Sequence, residues 1–287
     1  MIGIIFALIS YVGWAVGDIL GTFAVRKLGT LSSAFWITFL GLLLFLPLAL
    51  GNLASLSGYT PSLLLMNMIL GFIFIIAYLL FVEGFRIGNP ALVGTVGASF
   101  PMFTLLTSVL FLHESISPLQ IVLSMVIFIG IILSTLDLAA LIKGARQVDK
   151  GALFCLIGAI IFGIYYALSK QLVTQVGWLW PYYFSLAFSP LILLVARLKG
   201  EKLLSPSAHG AFIPLIFGCL VLRVADVSFN YGLSQGFTSV VAPIAGSYPT
   251  LFVILAFLIF KDPIRKQQIL GIIVTLIGVV SLAFLST

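Results

Sequence analysis

Residues 99–101 read Ser-Phe-Pro, and the pattern returns 148 positions later as Ser247-Tyr248-Pro249, both times inside a long apolar run. The match extends without a gap in both directions. Toward the N-terminus, Gly84 and Gly88 fall on Gly232 and Gly236, and Gly29 on Gly177; Gly3, Phe6, Leu8 and Ile9 fall on Gly151, Phe154, Leu156 and Ile157. Toward the C-terminus, Glu114 falls on Asp262, Gln120-Ile121 on Gln268-Ile269, and Ile129-Gly130 on Ile277-Gly278. Apolar matches alone carry little information in so hydrophobic a chain. Registered glycines, prolines and acids carry more, and they divide the chain into two copies of one unit, residues 1–148 and 149–287.

Of the 287 residues, 62% are hydrophobic and 8% charged, against about 25% charged in an ordinary soluble domain. A bilayer-spanning helix takes about 20 apolar residues. Ten such runs, punctuated by Gly, Pro and Asn, lie at 3–24, 33–50, 62–85, 90–111, 118–138, 151–171, 180–197, 211–233, 237–260 and 267–285. The first follows Met1 directly and reads as a span, not a removed signal. The runs are continuous and do not alternate every second residue, which excludes a β-barrel. They also leave no room for an attached soluble domain. The fold class is therefore an all-α polytopic membrane protein with ten transmembrane helices in two five-helix repeats. Five is odd, so the second copy enters the membrane from the opposite side and the repeats are inverted. Secondary transporters recurrently use that construction, with a site near the midplane between the halves.

The basic residues orient the spans. Arg26, Lys27, Arg86, Lys143, Arg146, Lys150, Arg197, Lys199, Lys202, Lys261, Arg265 and Lys266 all fall at one side, which is twelve of the fourteen Lys and Arg. Lys170 falls at the other side and Arg223 inside a span. The positive-inside rule makes the twelve-charge side cytoplasmic and puts both termini outside. No basic patch is interleaved with aromatics, so the high pI does not mark a nucleic-acid partner. Cys155 and Cys219 lie in apolar runs with no metal spacing and read as small buried residues.

Two gapless five-span repeats in under 300 residues resemble the drug/metabolite transporter superfamily, in particular its EamA-type ten-span members. The resemblance covers the whole chain. It rests on Trp14-Ala15 matched by Phe162-Gly163, and on the late glycines Gly130 and Gly278. It rests also on the run from Gly88 through Pro101 to Leu112-His113-Glu114, where the family usually carries Gly-Glu. Asp18-Ile19-Leu20-Gly21-Thr22 is similar to the first helix of the small multidrug resistance proteins, which carry a glutamate at the position of Asp18. In those proteins it binds protons and cationic substrates, which is the role the resemblance implies for Asp18. Ten-span relatives usually have cytoplasmic termini; the charge count here predicts the reverse.

Charges inside spans cost about 2.5–3.5 kcal/mol each when they face lipid, so Asp18, Arg223 and Asp226 are expected to face a cavity or one another. Asp18 is the candidate proton carrier. Arg223 and Asp226, three apart on one helix face, are either a self-neutralising pair or a clamp for a substrate carboxylate or phosphate. Trp14, Tyr78, Tyr166, Asn230 and Tyr248 could complete a pocket. Pro101 and Pro249 sit at symmetric places in spans four and nine, where proline frees a carbonyl. With Gly97 and Gly246 nearby, they are candidate cavity walls or hinges. Trp178, Trp180, Tyr182 and Tyr183 read as an interfacial aromatic belt. Glu83 and Arg86 read as an interfacial pair, and Glu114 and Asp262 as acids favoured beside helix starts.

These features predict a secondary active transporter for a small organic solute, amino acid-like or amphiphilic and cationic, working by alternating access with proton coupling or exchange. The expected partners are that solute, protons and the plasma (inner) membrane bilayer, with the protein a monomer or homodimer. No cofactor is expected: the chain has no phosphate-binding Gly-x-x-x-x-Gly-Lys loop, and its histidines, His113 and His209, lie near span ends. A lipid-headgroup flippase of the same superfamily is the alternative, and an integral membrane enzyme a more distant one.

Overall fold

Backbone N–H and C=O groups in hydrocarbon find no water, so an apolar run that crosses a bilayer closes its hydrogen bonds within a helix. The computed structural model describes residues 1–87, 96–97, 99–135, 150–261 and 265–285. Among them the first repeat forms α1 (Ile2–Leu28), α2 (Thr30–Gly51), α3 (Pro61–Ile87), α4 (Phe100–Phe111) and α5 (Pro118–Thr135). The second forms α6 (Lys150–Val176), α7 (Leu179–Ala187), α8 (Pro190–Leu198), α9 (Phe212–Gln235), α10 (Thr238–Gly246), α11 (Tyr248–Phe260) and α12 (Lys266–Leu285). The described residues contain no strand. Among the described residues, eight stretches are long and apolar enough to cross a membrane, counting α7 with α8 and α10 with α11, and α4 and α5 are shorter apolar helices. These correspond to the ten apolar runs. The start of the fourth run, the last residues of the fifth and the boundary between the copies at 148/149 lie outside the described residues, as does Asp262.

The duplication is visible in how the copies meet. α1 packs most extensively on α9, and its repeat mate α6 packs on α3, the mate of α9. Each first helix thus holds the third helix of the other copy. The crossings use repeat-related glycines. A Cβ on Gly3 would lie 3.2 Å from the Gly232 carbonyl oxygen, and one on Gly84 would lie 2.7 Å from that of Gly151. The fifth helices, α5 and α12, pack on each other, with Gly130 against Thr275 and Gly278 against Ile127, again a repeat-related exchange. The turns after each first helix match as well. Gly29 (φ 75°) and Gly177 (φ 83°) both take the positive φ that glycine adopts without steric cost.

Outward faces are apolar. Leu65, Leu110, Phe111, Val122, Ile213 and Ile277 are all exposed, where a soluble protein would carry charge. Two ends can be told apart by their contacts. At the basic end, Lys27 Nζ donates to the Gly210 carbonyl (2.9 Å), and Lys199 pairs with Glu83 (2.9 Å). Glu83 therefore reaches across to α8; the side chain of Arg86, its expected neighbour, lies outside the described residues. The distal end carries the C-termini of α4, α6 and α9.

Prolines mark breaks that the sequence reading placed inside continuous spans. Span seven divides at Phe188 and Ser189, with Pro190 opening α8; span nine divides at Ser247, with Pro249 in the first turn of α11. Pro101 holds the matching place in α4. At N1 or N2 a missing N–H costs nothing. The breaks are satisfied alike: Ser99 Oγ donates to the Val96 carbonyl and Ser247 Oγ to the Ile244 carbonyl, each at 2.6 Å.

Candidate functional site

α1, α3, α6 and α9, the four helices of the exchanged crossings, surround a cavity of about 140 Å³. α9 contributes Arg223 and, one turn on, Asp226; Arg223 Nη2 lies 3.1 Å from Asp226 Oδ2. Trp14 of α1 donates its indole N–H to Asp226 Oδ1 at 2.7 Å, and the Tyr182 hydroxyl donates to Oδ2. The Arg223 guanidinium also lies over the Tyr182 ring, 5.5 Å from its centroid. Asp226 thus has three partners from three helices. Arg223 is 7% exposed, and its Nε and Nη1 are buried without a hydrogen-bond partner. Gly41 on α2 makes room for it, since a Cβ there would lie 2.7 Å from Arg223 Cδ.

Asp18 enters from α1, where it hydrogen-bonds with the Tyr248 hydroxyl. It stands ten residues before the end of α1, about 15 Å at 1.5 Å per residue, and so close to the middle of the span. Aromatic rings form much of the remaining wall. Trp14 packs on Tyr248 (5.7 Å), Phe100 (6.2 Å), Tyr166 (6.2 Å) and Phe229 (5.2 Å), and Tyr166 on Phe162 (5.9 Å). Two carboxylates and one guanidinium give the chamber a formal charge of −1.

Seven of the eight residues singled out for binding line this cavity: Trp14, Asp18, Tyr78, Tyr166, Arg223, Asp226 and Tyr248. Asn230 does not. It lies one turn beyond Asp226 toward the distal end, 3% exposed, with Oδ1 unpartnered. Pro101, Pro249, Gly97 and Gly246 stand behind the wall and not in it. Gly246 packs on the Pro101 ring and Gly97 on the Phe81 ring, while their neighbours Phe100 and Tyr248 reach the cavity. Tyr182, read as part of an interfacial belt, is instead 3% exposed and a partner of the central acid. Trp180 is also buried, and its indole donates to Ser55 Oγ at 2.8 Å. Both cysteines are buried, and their thiols donate to backbone carbonyls, Cys155 to Phe81 and Cys219 to Ile37.

At the distal end, Glu114, read as an acid favoured beside a helix start, does cap one, and it belongs to the second repeat. Its carboxylate accepts from Lys170 Nζ at 2.7 Å and from the Thr238 and Ser239 N–H groups at 3.2 and 3.1 Å, the first turn of α10. Burial pushes the Glu114 carboxyl up, but the Lys170 ammonium and the two N–H donors outweigh it and hold the group below its ordinary value.

Comparison with known proteins matches this architecture twice along the chain, at residues 1–136 and 149–284, both times to the EamA-like transporter family. The chain belongs to that family. An EamA-like chain is an integral membrane transporter of the drug/metabolite transporter superfamily, and the two matched segments are the two repeats. One solved crystal structure aligns over 99% of this chain and 97% of its own, with a TM-score of 0.81 and 16% identity. At that identity the likeness shows the shared fold alone. A search of curated proteins returned no match.

Proposed function

We propose that this EamA-like chain is a secondary active transporter that carries a small organic solute by alternating access, coupled to protons or run as an exchanger. The observation that carries the reading is the mid-membrane cavity between the repeats, where Asp18, Arg223 and Asp226 meet among aromatic rings. Charges cost too much at this depth to be kept there facing lipid. A carboxylate that can exchange a proton for a cationic group is the coupling element such a carrier needs, and Asp18 is assigned that part. The formal charge of −1 and the aromatic wall favour an amino acid-like zwitterion or an amphiphilic cation over a dianion. Both halves of the site come from one chain, so one copy suffices, whether or not it pairs with a second.

Orientation follows from the basic loops. By sequence, twelve of the fourteen basic residues fall in loops of one side, which we place in the cytoplasm. That sets both termini outside a plasma (inner) membrane.

Ligand-dependent thermal stabilisation of the purified protein tests the reading, because a ligand that binds only the folded state raises stability by mass action. Amino acids, organic cations, sugars and nucleosides are compared at two pH values in wild type and Asp18→Asn. The expected result is a pH-dependent hit that Asp18→Asn removes or makes insensitive to pH. A hit indifferent to both overturns the proton assignment and moves binding to Arg223 and Asp226. A response confined to phospholipid headgroups replaces the solute reading with lipid flipping.

A further inference from the structure

At the distal end, opposite the basic loops, one ion pair ties the ends of four helices together. Glu114 follows α4 in the first repeat, and the partners of its carboxylate all belong to the second. Lys170 stands near the C-terminus of α6, 2.7 Å from Oε1, and also donates to the carbonyl of Gly236 at 2.9 Å, just after α9. The Thr238 and Ser239 N–H groups open α10. The pair is largely shielded, with side-chain exposures of 7% for Glu114 and 19% for Lys170. Below it, toward the cavity, Phe229 and Tyr166 pack at 4.9 Å, and both touch Trp14. Tyr166 is one turn from Lys170, and Phe229 lies between Asp226 and Gly236. A solute leaving the cavity toward this end would therefore have to part first the aromatic layer and then the bonds of Glu114.

We propose that Glu114 and Lys170 are the distal gate of the carrier, closed in this structure and broken when the cavity opens toward that end. The inference rests on the alternating-access reading. Three features favour a gate over a fixed staple. The contact joins the end of α4 in one repeat to α6 and α10 in the other, at helix ends and not at the interior crossings. It concentrates charge-assisted bonds on a single side chain, so loss of one partner leaves the other shielded and poorly paired. It is also one-sided in sequence: Lys170 corresponds, 148 residues earlier, to Thr22, while Glu114 corresponds to Asp262. The acid is repeated and the lysine is not. Closure of the distal end thus has an ionic contribution that the repeat does not reproduce residue for residue.

The test reads access to the cavity and needs no knowledge of the solute. In a background with Cys155 and Cys219 replaced by Ala, a single cysteine is placed in the cavity wall by Leu222→Cys. Its labelling by a membrane-impermeant maleimide is timed from each face, using vesicles of both orientations. Glu114→Gln and Lys170→Met should each speed labelling from the distal face by about tenfold or more, equivalent to about 1.4 kcal/mol. Lys170→Arg should stay near the parent. The two variants lie on different helices, and size-exclusion profiles report whether each folds. Distal labelling in Glu114→Gln and Lys170→Met equal to the parent's overturns the gate. If the variants open the distal end yet none of the amino acids, organic cations, sugars and nucleosides named above exchanges across the membrane, the solute-carrier reading falls, while access to the cavity is still governed by Glu114 and Lys170. If solute exchanges and distal labelling is unchanged, only the gate falls.

Discussion

Arg223 stands near the middle of α9 with its guanidinium turned onto Asp226 and the Tyr182 ring. Removing one member of a buried ion pair costs about 3–5 kcal/mol, because the survivor is left uncompensated. Arg223→Met should therefore destabilise the protein by that order, and Arg223→Met with Asp226→Asn by clearly less, as read by unfolding in detergent. Equal losses in the single and double variants would show that the pair contributes nothing beyond packing. The three intramembrane charges were legible in the sequence because an ionised side chain inside an apolar run has few affordable positions. Tyr182 was not, since an aromatic residue near the start of a span has the same appearance in a headgroup belt and in a core. Which helix Glu114 caps was not legible either. Its nearest helix start in sequence is α5, but the N–H groups it caps lie 124 and 125 residues away, and no local pattern encodes that distance.

The helices themselves followed from run length and hydropathy, and the glycine register marked the repeat, whereas the crossings those glycines carry are seen only in the structure. What the register could not show is which proline interrupts a helix. Pro101 and Pro249 were expected within continuous spans; both instead sit in the first turn of a new helix, with a serine hydroxyl closing the preceding turn. Pro101→Ala should accordingly shift stability by less than about 1 kcal/mol. Gly84→Val should behave differently. Its Cβ would meet the Gly151 carbonyl oxygen at 2.7 Å and the Cys155 sulfur at 2.5 Å, and backbone cannot step aside as a side chain can. Overpacking of this kind costs about 1–3 kcal/mol. Thermal unfolding of the two variants in parallel separates a helix start from a helix crossing; a larger loss for Pro101→Ala would reverse that assignment.

For the molecule as a whole, an even number of spans requires both termini on one face. Protease-cleavable tags at Met1 and Thr287 should be removed together from right-side-out vesicles, while a site inserted at Lys199–Lys202 is cut only in inverted ones. Cleavage of the termini from the opposite face would reverse the orientation and leave the fold intact. The exchanged crossings have a further consequence, for how the chain is made. The surface of α1 that packs on α9 has no partner until about 180 more residues have been synthesised, about 10–40 s at roughly 5–20 residues per second. For that interval the first helix stands in the bilayer with a glycine groove open to lipid or to the insertion machinery. The second repeat is spared the same delay, because α6 finds α3 already in place. Biogenesis of this protein is thus a matter of holding one half open until the other arrives, and a chain truncated after α8 would leave the membrane with an unmatched first helix to recognise and remove.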